Sequence, residues 1–296
     1  VSIPESQFET WSHQGSITQS AATYNTVKRV LEGEGTPYKG KDISVFLQGS
    51  YGNDTNIFAE SDVDVVCVLN GCMQSDLTKL TEEAKSAYHK AFADASYTHV
   101  DFKRDVLGVL RGQFGSGVAA GDKAIFIPAG GARRNADVIV AIQFRRYYKF
   151  NGIFDQSYDE GICFFDSSGQ RIANYPKQHS ANLTAKHQAT SQWFKPMARI
   201  LKNLRGCLVE RELLEEGVAP SYYLEGLLYN VPNDRFGKSY QDTFVNAINW
   251  LAQCDRAQLV CANQQYFLLH DTSPVTWRAD KCAKFLDAAS RLYREW

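Results

Sequence analysis

Phe46-Leu47-Gln48-Gly49-Ser50 and, after eleven intervening residues, Asp62-Val63-Asp64-Val65-Val66-Cys67-Val68-Leu69 form the stretch on which the fold turns. The apolar runs on either side, DISVFLQGS and SDVDVVCVL, read as strands, the second becoming continuously apolar as a central strand does. The Gly/Asn-rich segment YGNDTNIFAE between them reads as a turn. Residues i and i+2 of a strand point to one face, so Asp62 and Asp64 aim two carboxylates at the same region. Neighbouring carboxylates raise each other's proton affinity unless a cation lies between them. Hard oxygen donors favour Mg²⁺, with Mn²⁺ able to substitute. A glycine after a strand lets the backbone approach a ligand, and the Ser50 hydroxyl with the following N–H groups can hold phosphate oxygens. The same Asp-x-Asp spacing also arises at solvated strand ends, at turn caps and in glycosyltransferases that bind nucleotide sugars. The preceding Gln48-Gly49-Ser50 favours nucleotidyl transfer.

Working outward, a third carboxylate is expected on a neighbouring strand. Asp137 opens the apolar run Asp137-Val138-Ile139-Val140 much as Asp62 opens its own, and it would complete the metal site and help deprotonate an attacking hydroxyl. Its plainer reading is a strand-start cap. The spacing predicts an N-terminal helix from about residue 5 to 32, a helix from about 75 to 95 with Ser75 as N-cap, and another from about 100 to 114. KAIFIPA and ADVIVAIQFRRYYKF read as strands joined by GGARRN, and GICFFDSSGQRI as a hairpin. After Tyr175-Pro176 the pattern becomes helical over about 184–215, 221–229, 240–252 and 275–296, with Pro196 kinking the first of these or lying in its first turn. These expectations give an α/β catalytic lobe over 1–178, including the N-terminal helix, and a helical lobe over 179–296.

The hydrophobic fraction of 44% and charged fraction of 22% are those of an ordinary globular chain. A net charge of −1 lacks the basic excess that tracking long nucleic acid requires. Seven cysteines, an odd number with no Cys-x-x-Cys, are expected to be reduced and structural, which points to the cytoplasm. No apolar run is long enough to span a membrane.

With these residues in place, the chain resembles the nucleotidyltransferases of the DNA polymerase β superfamily. It is most similar to the bacterial cGAS/DncV-like enzymes, the CD-NTases of anti-phage CBASS systems. FLQGSYGNDTNIFAESDVDVVCVL, NADVIVAIQFRRY, GICFFDSSGQRIANYPKQH, WFKPMARILKNLR and APSYYLEGLLYNVP carry the likeness, reaching from about residue 40 to 235. The resemblance implies an α+β fold: a polymerase β-like lobe with a mixed sheet, a helical C-terminal lobe, and an active site in the cleft between. It implies that Lys195, in Phe-Lys-Pro-Met, and Ser221 hold the donor triphosphate, and that Tyr222 stacks on a base. Lys186, Asn182 and His179 would reach the ligand from the crossing segment. Each has a plainer reading: a solvated lysine, a helix cap, a core aromatic. No Cys/His cluster matches the zinc insert of the animal DNA-sensing relative, so no obligatory DNA activator is implied.

The expected activity is a Mg²⁺-dependent transfer using two ions. Nucleoside triphosphates, ATP and GTP being the mild preference because stacking favours purines, are joined into a cyclic di- or trinucleotide with release of pyrophosphate. The resemblance supplies the cyclisation, the role as second messenger in antiviral defence, and the separate effector protein that senses the product. Two other readings compete: transfer of NMP to RNA, protein or a small-molecule acceptor, and an inactive nucleotide-binding scaffold.

Overall fold

The computed structural model describes residues 2–58 and 62–296. Ala59 and Glu60 of the expected turn, and Ser61 at the expected strand start, lie outside the described residues. The chain divides into two compact units: Ile17–Gln48 with Ser61–Pro176, and Val1–Ser16 with Gly49–Glu60 and Lys177–Trp296.

The first of these holds a mixed sheet, seven-stranded among the described residues, in the order β1-β2-β5-β4-β3. β1 (Ile43–Leu47) pairs antiparallel with β2 (Val63–Asp76), and β2 runs parallel to β5 (Ala136–Gly152). The first residues of β5 also pair with β4 (Ile125–Ile127), which pairs with the two-residue β3 (Ala119–Ala120). Further along, β5 pairs with β6 (Asp155–Phe165), and β6 with β7 (Arg171–Asn174). The β6–β7 connection is the hairpin expected around Ser-Ser-Gly. Helices α2 (Thr18–Leu31), α4 (Glu82–Ala91) and α5 (His99–Phe114) pack on the sheet. Val63, Val65, Val66, Cys67, Ala136 and Val138 are fully buried, as expected of central strands.

In the other unit, α1 (Glu5–Ser12) joins α6 (Pro176–Ala189), α7 (Phe194–Glu210), α8 (Ser221–Asn230), α9 (Tyr240–Gln253) and α10 (Ala279–Arg294). They close on one apolar core that includes Phe8, Leu183, Phe194, Leu201, Leu227, Phe244 and Phe285. A short helical turn, α3 (Gly49–Gly52), belongs to this unit and not to the sheet that precedes it in the chain.

Several expectations are corrected. The single N-terminal helix is two, α1 and α2, because the chain breaks at Gly15. There the backbone N–H donates to the Asn56 carbonyl at 3.0 Å, and an added Cβ would stand 2.6 Å from the Ile57 oxygen. The helix expected from Ser75 begins only at Glu82, capped by Thr81. Ser75 and Asp76 remain in β2, opposite Arg145 and Arg146 of β5, and Asp76 forms an ion pair with Arg146 at 3.1 Å. The long helix expected from residue 184 is α6 and α7, separated where Ser191 and Gln192 adopt positive φ, +49° and +68°. Pro196 lies in the first turn of α7, where its missing N–H costs nothing.

Candidate active site

Asp64 and Asp137 are register partners on the parallel strands β2 and β5, as are Val63 with Ala136 and Val65 with Val138. The apolar pairs are fully buried on one face, so the two aspartates share the other. Asp62 immediately precedes β2 and is exposed. Its charge reaches Asp137: burial first, and the Asp62 carboxylate second, push the Asp137 carboxyl above the ordinary aspartate value of 3.8. β1 ends beside this group, with the Gln48 N–H donating to the Asp64 carbonyl at 3.0 Å. The Gln48 side-chain oxygen is buried and, among the described residues, accepts no hydrogen bond.

These residues supply hard oxygen donors at one end of the sheet, the chemistry suited to Mg²⁺. Among the described residues, no group of three or more His, Cys, Asp or Glu side chains is gathered so that it could hold a metal ion as it stands. The carboxylates share a sheet end and a field, and a cation is what would relieve their repulsion.

Gly49 begins the turn with φ +69°, a left-handed conformation that a glycine adopts without strain. The turn closes through Asn53 N–H to the Gly49 carbonyl at 3.1 Å and Thr55 N–H to the Ser50 carbonyl at 2.9 Å. It is then fastened to three helices. Lys195 of α7 pairs with Asp54 at 2.8 Å, and Arg199 donates to the Asp54 carbonyl at 2.7 Å. Glu225 of α8 accepts from Asn53 at 3.2 Å and from the Thr55 hydroxyl. Glu225 also pairs with Lys202 of α7 and with His179 Nε2 of α6, each at 2.9 Å. Burial alone would raise the Glu225 carboxyl. The Lys202 ammonium and the bonds from His179 and Thr55 outweigh it and hold the group well below the usual carboxylate range.

The remaining expected residues are all in this helical unit. Lys195 is 8% exposed and its ammonium is engaged by Asp54. Ser221 is the first residue of α8, preceded by Pro220 in the cap position, and its hydroxyl accepts from Arg205 at 3.0 Å. Tyr222 stacks on His179, with ring centroids 4.7 Å apart and planes at 19°. Its hydroxyl accepts from Asn263 at 3.0 Å, and burial raises its phenol. Lys186 donates to the Val231 carbonyl at the end of α8 at 2.6 Å, with its ammonium pKa lowered by burial. Asn182 donates to the Ala262 carbonyl at 2.7 Å. Sequence reading passed over Lys202, Thr55 and Glu225. The signal was present for two of them: Lys202 lies on the apolar stripe of α7, and Glu225 interrupts the apolar run Leu224-Glu225-Gly226-Leu227-Leu228. A lone charge inside an apolar face is seldom buried unless paired.

Residues 181–294 match the family model of the cGAS/DncV-like nucleotidyltransferase C-terminal helical domain. The chain is 40% identical over 296 residues to a cyclic UMP-AMP synthase of Rhodothermus marinus, covering 99% of both chains. It is 35% identical over 294 residues to a cyclic dipyrimidine nucleotide synthase of Legionella pneumophila, covering 95% of both. Among solved structures, the Rhodothermus marinus c-UMP-AMP synthase with Apcpp and Upnpp superposes with a TM-score of 0.89 at 38% identity, over 99% of this chain and 97% of that one.

Proposed function

Because the chain belongs to the cGAS/DncV-like nucleotidyltransferases and is a cyclic nucleotide synthase by kind, we propose that it joins nucleoside triphosphates into a cyclic di- or trinucleotide and releases pyrophosphate. The observation that carries this reading is the pairing of Asp64 with Asp137 on parallel strands, with the Asp62 charge felt at Asp137.

Asp62, Asp64 and Asp137 would hold Mg²⁺, which when bound neutralises charge on the reacting phosphates. Burial, and then the Asp62 charge, raise the proton affinity of the Asp137 carboxyl. It accepts the proton of the attacking ribose hydroxyl at a carboxylate oxygen. Gly49 and Ser50 offer backbone N–H groups and a hydroxyl to the donor triphosphate, and Lys195 and Ser221 add charge and a further hydroxyl. Attack on the α-phosphorus forms the new ester bond, breaks the bond to the β-phosphate oxygen and expels pyrophosphate. Most of the acceleration is positioning and charge neutralisation. A final, intramolecular attack on the α-phosphorus of the remaining triphosphate closes the ring and expels a further pyrophosphate.

The preference for purines rests on Tyr222 stacking on a base. That ring is already stacked on His179, and the two named relatives make products containing pyrimidines. Tyr222 therefore gives no ground for choosing the bases, and the product itself has to identify them. The product is read by a separate effector protein in defence against phage. Incubation of the protein with all four nucleoside triphosphates and Mg²⁺, with the products weighed by mass spectrometry, tests the reading. Wild type is expected to give a cyclic oligonucleotide and pyrophosphate, and Asp62→Ala/Asp64→Ala neither. Identical products from both proteins would end it.

A further inference from the structure

The cluster around Glu225 is buried, charged and unused by the chemistry above. Glu225 is 3% exposed, Lys202 and Thr55 0%, His179 3% and Asn53 7%. Burying an ion pair costs several kcal/mol per ion in lost hydration, and well-packed apolar residues are often as stable. Stability alone is thus a weak reason for this arrangement. What it does geometrically is more specific. One Glu225 oxygen takes the Thr55 hydroxyl and the Lys202 ammonium, and the other takes Asn53 and His179. Asn53 and Thr55 are the two residues whose N–H groups close the turn on the Gly49 and Ser50 carbonyls. The face of the His179 ring stacks on Tyr222.

We propose that Glu225 is a positioning residue: it fixes the Gly49–Ser50 turn through Asn53 and Thr55, and the Tyr222 ring through His179, so that one buried carboxylate sets both the phosphate-holding backbone and the aromatic beside it. Lys202 is the counter-charge that keeps the carboxylate ionised and therefore an acceptor for all its donors. The proposal rests on the reading that the Gly49–Ser50 turn receives the donor triphosphate. Glu225 acts through Asn53, Thr55 and His179. Its loss loosens a geometry that the reaction needs within a fraction of an ångström.

The test uses the full chain. Thr55→Val keeps the side-chain shape and removes the hydroxyl, and Thr55→Ser restores it. Glu225→Gln/Lys202→Met removes both charges together, so that neither is left buried alone. Leu251→Ala, in the core of the same unit and outside the cluster, matches the loss of stability. Amide hydrogen exchange over residues 49–56 and the KM and kcat for nucleoside triphosphates are measured for each. Thr55→Val and the double variant are expected to speed exchange across the turn and to raise KM about tenfold, the value of one charge-assisted hydrogen bond. Thr55→Ser is expected to return both towards wild type, and Leu251→Ala to lower Tm without raising KM. Unchanged exchange in the turn, or an equal rise in KM for Leu251→Ala, would overturn the proposal. If wild type makes no product while exchange in the turn responds as stated, the functional reading fails, and what survives is that Glu225 fastens the turn.

Discussion

Asp137 shows at one residue what burial beside a second carboxylate costs. A folded-state pKa raised above 3.8 means that the folded chain holds this proton more tightly than the unfolded chain does. The group's contribution to stability is then fully present below that value and is lost as pH rises through its folded pKa. At neutral pH an ionised, half-buried Asp137 facing Asp62 is a net cost. Asp137→Asn is therefore expected to raise Tm at pH 7 without metal by a degree or two, small because the group is partly solvated, and to leave Tm unchanged at pH 3. A lower Tm at pH 7 would show that the carboxylate stabilises the bare fold. Divalent cation should reverse the order. A ligand at a hundredfold excess over its Kd stabilises by about 2.7 kcal/mol, so Mg²⁺ is expected to raise Tm in wild type and to do little in Asp62→Ala/Asp64→Ala. An equal rise in both proteins would place the ion elsewhere.

At the scale of elements, the turn chemistry explains which boundaries could be foreseen. Thr98 and Asp101 form a reciprocal capping box at α5, and Thr81 caps α4, both local signals that the sequence displays. The break between α1 and α2 was not foreseeable from periodicity, because its cause is distant: the backbone of Ile57 lies where a side chain on residue 15 would have to go. A substitution there meets backbone, which cannot swing aside. Gly15→Ala is expected to cost roughly 1–3 kcal/mol of stability by urea unfolding, the range of an overpacked contact. A cost within experimental error of zero would mean that the Asn56–Ile57 segment yields. The length of β2 escaped for a related reason. Ser75 and Asp76 read locally as a helix start, and only their partners across the sheet, Arg145 and Arg146, keep them extended. That Asp64 and Asp137 belong to strands was legible from the apolar runs that follow them, and their register is what the sheet adds. For Glu225 and Lys202 the sequence displays a charge inside an apolar stripe but not the partner that charge meets.

Over the whole molecule, the cysteines report how complete the burial is. Cys67, Cys72, Cys163, Cys261 and Cys282 are buried, and Cys207 and Cys254 are half-buried. The apolar runs around Cys67 and Cys163 announced this for two of them, and both are 0% exposed. Burial pushes the thiols of Cys163, Cys261 and Cys282 up to about 12 and that of Cys67 higher still. The reacting species is the thiolate, so these groups are doubly protected, by access and by proton affinity. With a chromogenic disulfide reagent at pH 8, the native chain is expected to titrate Cys207 and Cys254 within minutes. The other five should react only as fast as the fold opens, and guanidinium should release all seven. Because the buried five are spread over both units, their slow phase follows each unit's own opening, and single Cys→Ser variants resolve which thiol belongs to which phase. Addition of nucleoside triphosphate with Mg²⁺ is expected to slow the phase of Cys261 and Cys282, which lie in the unit that carries the Gly49–Ser50 turn. This follows from mass action, since a ligand that binds only the folded form suppresses the opening the reagent needs. More than two fast thiols in the native chain would show that the buried core is open to solvent.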